Sequence, residues 1–76
     1  MDKTTARETL AETIRARRGA KQISIAQLSQ QTGIDYKTLR SRLKGESDWR
    51  VGELMSVADA LDADAGEWVN LYRDAA

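Results

Sequence analysis

The chain has 76 residues, and its 12 lysines and arginines are balanced by 12 aspartates and glutamates, so its net charge is zero. It contains no cysteine and no histidine, which excludes disulfide bonds, thiolate or imidazole metal sites and a nucleophile–histidine catalytic pair. We therefore expect one small domain, residues 1–76, that is not an enzyme and holds no cofactor or metal.

The helical composition of the chain predicts an all-α fold. Proline is absent, and alanine, leucine, arginine and glutamate are frequent, as is typical of helices. In the first helix Leu10 and Ile14 lie one turn apart, and Gly19 marks its expected end. In the fourth, Val51, Leu54, Met55, Ala58 and Leu61 have the spacing of a core stripe. The predicted helices cover about residues 5–18, 25–32, 36–44, 51–61 and 65–72.

Residues 24–45 carry the most informative pattern in the sequence. Ser24 with Gln27 makes a capping box at the start of the second helix, and Gly33 suits the left-handed turn that follows it. Asp35 is a good N-cap for the third helix, and Gly45 a good stop. Two short helices joined by a turn that contains glycine are the arrangement of a DNA-binding helix-turn-helix.

The charges of the chain are segregated between its two halves. Residues 1–45 hold ten cations against four anions, a net charge of +6, whereas residues 46–76 hold two cations against eight anions, a net charge of −6. A polyanion is attracted to the first half and repelled by the second. Taken alone, such runs are more often solvated helix faces, but here the basic half coincides with the helix-turn-helix.

A helical wheel assigns roles in the third helix. Leu39 and Leu43 define its buried side, and Lys37 and Ser41 point away from it. Outward residues of a helix in the major groove meet base edges, and flanking cations reach phosphates. The wheel therefore predicts base contacts by Lys37, Thr38 and Ser41 and backbone contacts by Arg40, Arg42 and Lys44.

The chain from Ile14 to about Trp68 resembles the Cro/CI-type helix-turn-helix family of phage and bacterial transcription regulators. The ordered spacing carries the resemblance, and no single residue is diagnostic. The family usually has glutamine where this chain has Ile25 at the start of the second helix. The matching residues are Ile14–Arg18, Ser24, Leu28, Ser29, Gly33, Ile34, Thr38, Leu39, Leu43, Lys44, Gly45, Trp49, Glu53, Leu54 and Ala58–Leu61.

The resemblance implies a five-helix, lambda-repressor-like domain that places its third helix in the major groove of double-stranded DNA. It adds Tyr36 to the predicted base contacts, although Tyr36 has the alternative of packing against the second helix. Arg18 and Ser24 complete the predicted backbone contacts. The alternatives for Arg17 and Arg18 are solvation of the first helix or pairing with carboxylates such as Glu12 or Glu53.

We predict that the chain functions most like a small phage Cro protein or short repressor. Its expected location is the cytoplasm of a bacterial cell or phage-infected host. No apolar run predicts a signal peptide or membrane contact. Val69 and Tyr72 in the last helix form a small apolar pair, from which we hypothesise a weak homodimer or a monomer that pairs only on its operator. The alternative function is a protein-binding module, such as an antitoxin that uses its acidic C-terminal half.

Overall fold

The computed structural model describes the backbone of residues 3–75 and the side chains of residues 6–72. Within that range the α-helix is the only regular secondary structure, which confirms the predicted fold class. No helix in this part of the chain is long and apolar enough to cross a lipid bilayer. The helices are α1 (Lys3–Lys21), α2 (Ile25–Thr32), α3 (Tyr36–Leu43), α4 (Val51–Ala60) and α5 (Ala65–Ala75).

The helix-turn-helix of α2 and α3 forms with the predicted local signals. The Ser24 hydroxyl accepts a hydrogen bond from the Gln27 backbone N–H, and the Gln27 side chain accepts one from the Ser24 N–H. Gly33 ends α2 in the left-handed conformation, with φ of 76°, which a side chain would disfavour. The turn therefore holds the two helices at a geometry that a few adjacent residues specify.

The end of α1 was predicted wrongly. The helix continues through Gly19 to Lys21, and Gln22 instead adopts the left-handed conformation, with φ of 55°. Gln22 N–H donates to the Gly19 carbonyl and Ile23 N–H donates to the Arg18 carbonyl, which is the bonding pattern of a Schellman motif. Because this motif satisfies the last carbonyls of α1, the helix gains an additional turn beyond the expected stop.

The core face of α4 is also rotated from the predicted one. Leu54, Val57, Ala58 and Leu61 are buried, whereas Val51 and Met55 are 62% and 60% exposed. At 100° per residue, Val51 and Met55 lie roughly 70° and 110° from the centre of the buried face. α4 packs against both α2 and α5, and those two contacts select the rotation that buries Val57. The predicted stripe was therefore wrong at two of its five positions.

One apolar cluster joins all five helices. Leu10 and Ile14 enter it from α1, Leu28 from α2, and Leu39 and Leu43 from α3, as predicted. Trp49 in the α3–α4 loop and Trp68 in α5 are buried in the same cluster, so their indole rings serve as packing anchors. The core thus fixes which side of α3 remains available for contact with other molecules.

The C-terminal helix is tied to the α3–α4 loop by a polar contact. The Tyr72 hydroxyl donates to Asp48 Oδ1 at 2.7 Å, and Arg7 lies 3.5 Å from the same oxygen. Partial burial and the Asp48 hydrogen bond raise the pKa of Tyr72 to about 12. Tyr72 and Val69 are half-buried and pack against the core, so the predicted dimer pair already makes contacts within one chain.

Candidate nucleic-acid interface

The exposed side of α3 is set by its cap and its two buried leucines. Asp35 Oδ2 accepts hydrogen bonds from the backbone N–H groups of Lys37 and Thr38, at 3.1 and 3.4 Å. This carboxylate satisfies two of the amides that every helix N-terminus leaves unpaired. Leu39 and Leu43 point into the core. The helix is thereby held at its first turn and along its inner side.

The predicted base-contact residues all lie on α3, and two of them, Lys37 and Ser41, are brought together on its outer side. Tyr36 and Lys37 are exposed, and Thr38 and Ser41 are half-buried. Tyr36 is 46% exposed, which leaves much of its ring accessible to a ligand. A shallow depression on this side is lined by Lys37, Arg40, Ser41, Lys44 and Glu46.

A second depression lies between α1, the start of α2 and the end of α3. Its cations are Arg15, Arg18, Arg40 and Lys44, its apolar lining is Ile25 and Leu43, and no carboxylate is among its lining residues. Cations that converge on one concave surface without a carboxylate are suited to bind a phosphate. Three of the four cations were predicted backbone contacts.

Arg15 was missed by sequence reasoning, although its spacing carried a signal. Arg18 follows Arg15 by three positions on α1, so the two side chains lie on the same helix face. Their guanidinium groups are positioned by backbone carbonyls: Arg15 Nη1 donates to Leu43 O at 2.5 Å, and Arg18 Nη1 donates to Ile23 O at 2.9 Å. Arg18 Nε is buried without a hydrogen-bond partner. Arg15 thus caps the carboxyl end of α3 while it lines the depression.

The structure gives Arg42 internal partners in place of the predicted DNA backbone contact. Its Nε donates to Glu53 Oε1 at 2.9 Å and its Nη2 to Glu53 Oε2 at 3.4 Å, while Nη1 donates to Ser47 Oγ at 2.6 Å. The side chains of Arg42 and Glu53 are only 15% and 16% exposed. Arg42 therefore joins α3 to the following loop and to α4.

Other cations of the basic half are also occupied by internal contacts. Arg17 donates to the carbonyls of Leu61 and Asp62 at the end of α4, at 2.8 and 2.7 Å, rather than to Glu12 or Glu53. Lys21 Nζ lies 2.7 Å from Asp62 Oδ2, and this hydrogen bond holds the pKa of Asp62 below its ordinary value. Arg17 and Lys21 are therefore held by internal contacts at the end of α4 and do not line either depression beside α3.

Ser24 lies at the exposed N-cap of α2, beside the second depression. Its oxygen accepts from the Gln27 amide at 3.1 Å. A serine hydroxyl that accepts at its oxygen still has a proton to donate. The cap geometry is therefore compatible with the predicted contact between Ser24 and a phosphate oxygen.

The described geometry agrees with one known family. The family model of the Cro/C1-type HTH DNA-binding domain matches residues 13–74. The chain belongs to this family. The matched range of this Cro/C1-type domain contains all of α2, α3 and α4, and the predicted resemblance is confirmed. No curated protein matches the chain.

We expect the Arg42–Glu53 pair of this Cro/C1-type domain to make its stability depend on pH. Burial raises the pKa of Glu53, but the hydrogen bonds from Arg42 and the Arg50 amide, together with both guanidinium charges, outweigh burial and lower it from 4.5. A carboxyl group whose pKa is lowered by folding stabilises the fold above its unfolded pKa, and this contribution is lost as the pH falls through the folded pKa.

Glu53→Gln is therefore expected to lower the free energy of unfolding at about pH 6, and the difference from the wild type should shrink at about pH 3.5. Urea unfolding at both pH values measures this effect. In an Arg42→Ala background the change with pH should be smaller, because the main stabilising partner of the carboxylate is gone. A difference between Glu53→Gln and wild type that is the same at both pH values would contradict the assignment.

Proposed function

We propose that the chain is a sequence-specific regulator of transcription, of the phage Cro or short-repressor kind, that places α3 in the major groove of an operator. The observation that carries this proposal is the accessible outer side of α3 beside a depression with four cations. Membership of a DNA-binding family supports it. In such a complex the outer residues of α3 meet base edges and the depression receives backbone phosphate.

The predicted contacts other than Arg42 keep their roles in this proposal. Lys37 donates to guanine O6 or N7, Ser41 and Thr38 make less selective base contacts, and the exposed Tyr36 ring extends the same surface. Arg42 is no longer proposed to contact DNA, because its guanidinium is paired with Glu53. It instead positions α3 against the following loop and α4. The proposed phosphate contacts are Arg15, Arg18, Ser24, Arg40 and Lys44.

The acidic half of the chain orients the domain on DNA. Most carboxylates lie after residue 45, so repulsion from phosphate disfavours approach by α4 and α5. A protein held in this way on an operator represses by excluding polymerase or a competing regulator. Two copies paired weakly through Val69 and Tyr72 would recognise half-sites about 34 Å apart.

Selection of bound sequences from a random pool of duplex DNA tests the proposal, followed by affinity measurements across a range of salt concentrations. A preferred sequence is expected, with an affinity that falls steeply as salt rises. Lys44→Ala should reduce the slope of log affinity against log salt by about 1, because one fewer phosphate counterion is released.

Lys21→Ala is the matched control, because Lys21 is paired with Asp62. It removes the same charge and should leave the salt slope unchanged. Equal slopes for the two variants would contradict the assignment of Lys44. Binding that shows no sequence preference, or no binding of duplex DNA at low salt, would overturn the proposed function.

A further inference from the structure

A chain of polar side chains connects α4 to the outer side of α3. Arg42 is held by Glu53 and donates through Nη1 to Ser47 Oγ at 2.6 Å. Ser47 Oγ in turn lies 2.8 Å from Ser41 Oγ, where either hydroxyl has the geometry to donate. We name Glu53, Arg42, Ser47 and Ser41 the polar relay. Its last member, Ser41, is a predicted base contact, and the other three members connect Ser41 to α4.

The charge of Arg42 selects the direction of the hydrogen bond between the two serines. Ser47 Oγ accepts from the guanidinium, so its own proton is directed away from that positive charge and towards Ser41. Accepting a charge-assisted hydrogen bond also polarises the Ser47 hydroxyl and makes it a stronger donor. The favoured order is therefore Arg42 to Ser47 to Ser41. Ser41 then accepts from Ser47, and its own proton is free to turn outward.

We propose that Ser47 is a specificity-determining positioning residue that acts through Ser41. The inference depends on the proposed function, because it concerns how the outer side of α3 recognises a base pair. With its oxygen engaged by Ser47, the Ser41 hydroxyl donates to acceptors in the major groove, such as guanine N7 and O6, adenine N7 or thymine O4. Engagement by Ser47 leaves the Ser41 oxygen one lone pair and fixes its proton outward, which favours donation over acceptance. Without Ser47 the hydroxyl rotates freely and both lone pairs accept from adenine or cytosine amino groups, so discrimination falls.

The environment of the relay favours a positioning role for Ser47 over a purely local one. Ser41 lines the depression on the outer side of α3 together with Lys37 and Arg40, whereas Ser47 is not among the residues that line it. Ser41 and Ser47 are both half-buried. A change at Ser47 therefore alters the orientation of the Ser41 hydroxyl without removing a cation from the surface that attracts DNA.

The experiment compares the sequences selected from a random duplex pool by wild type and by Ser41→Ala, Ser47→Ala and Ser47→Thr. Ser41→Ala and Ser47→Ala should lose preference at the same base pair, by about fivefold, as expected for one neutral hydrogen bond. Ser47→Thr keeps the hydroxyl and should retain the preference. Affinity for random DNA should stay close to wild type in all three. The thermal midpoint should fall modestly in Ser47→Ala, because Arg42 Nη1 loses its acceptor, and should stay close to wild type in Ser41→Ala and Ser47→Thr.

Ser56→Ala is the matched control, because Ser56 is exposed on α4, outside the relay. It should select the wild-type sequence. If Ser47→Ala also selects the wild-type sequence, or if it weakens binding to specific and random DNA by the same factor, the inference is overturned while the proposed function stands. If the wild type itself selects no sequence, both fail.

Discussion

Leu39→Ala is expected to lower the free energy of unfolding by about 2–5 kcal/mol, which is a large part of the stability of a domain this small. Leu39 is completely buried and points from the middle of α3 into the cluster that joins all five helices. Truncation leaves a cavity beneath the helix that carries the proposed base contacts. Urea denaturation followed by fluorescence of the buried Trp49 and Trp68 measures the loss.

Val51→Ala is the control for this change. It also removes methyl groups from an aliphatic side chain, but Val51 is 62% exposed, so stability should change by no more than about 0.5 kcal/mol. A Leu39→Ala protein that kept the wild-type unfolding midpoint and lost only DNA binding would contradict the buried orientation of Leu39. A large loss in Val51→Ala would contradict the observed rotation of α4.

Lys37→Ala is expected to cost about 1–3 kcal/mol of binding free energy on the preferred sequence and to relax the preference at one base pair. Lys37 is exposed at the first turn of α3, and its backbone amide is fixed by Asp35. The side chain therefore leaves a rigid part of the helix. Binding measured on the preferred sequence and on random duplex DNA separates base recognition from charge attraction.

Arg40→Ala provides the comparison, since it removes a cation from the same helix. Arg40 lines both depressions, and as a phosphate contact it should affect all sequences alike and reduce the salt slope. An equal loss on preferred and random DNA in Lys37→Ala would rule out Lys37 as a base contact. A change of base preference in Arg40→Ala would rule out its assignment to phosphate alone.

The local structure of the helix-turn-helix could be predicted because its determinants are adjacent in the chain. The Ser24–Gln27 box, the Gly33 turn and the Asp35 cap each satisfy backbone groups within three or four residues. A side chain at position 33 would be strained in any fold that keeps the positive φ of Gly33. Such signals act before tertiary contacts form, so they can be recognised without knowing what packs against them.

The end of α1 shows where local signals are not sufficient. Glycine favours a helix end, but it costs only about 1 kcal/mol within a helix, and the hydrogen bonds of the following turn outweigh that cost. Gln22 then takes the left-handed position, which Gln adopts less readily than glycine. Gly19 was a plausible helix end in the sequence, but the hydrogen bonds of three more helical residues stabilise the longer helix.

The sequence by itself determined the helical class, the two helices of the motif, the buried side of α3 and the family of the domain, because periodicity and capping depend on neighbours along the chain. Only the tertiary structure decided which face of α4 is buried and which cations line the two depressions beside α3. Arg42 and Glu53 are eleven residues apart, and Arg15 and Leu43 are twenty-eight apart. Contacts between such distant residues depend on how the helices rotate and pack against one another. A pattern along the chain does not specify that rotation.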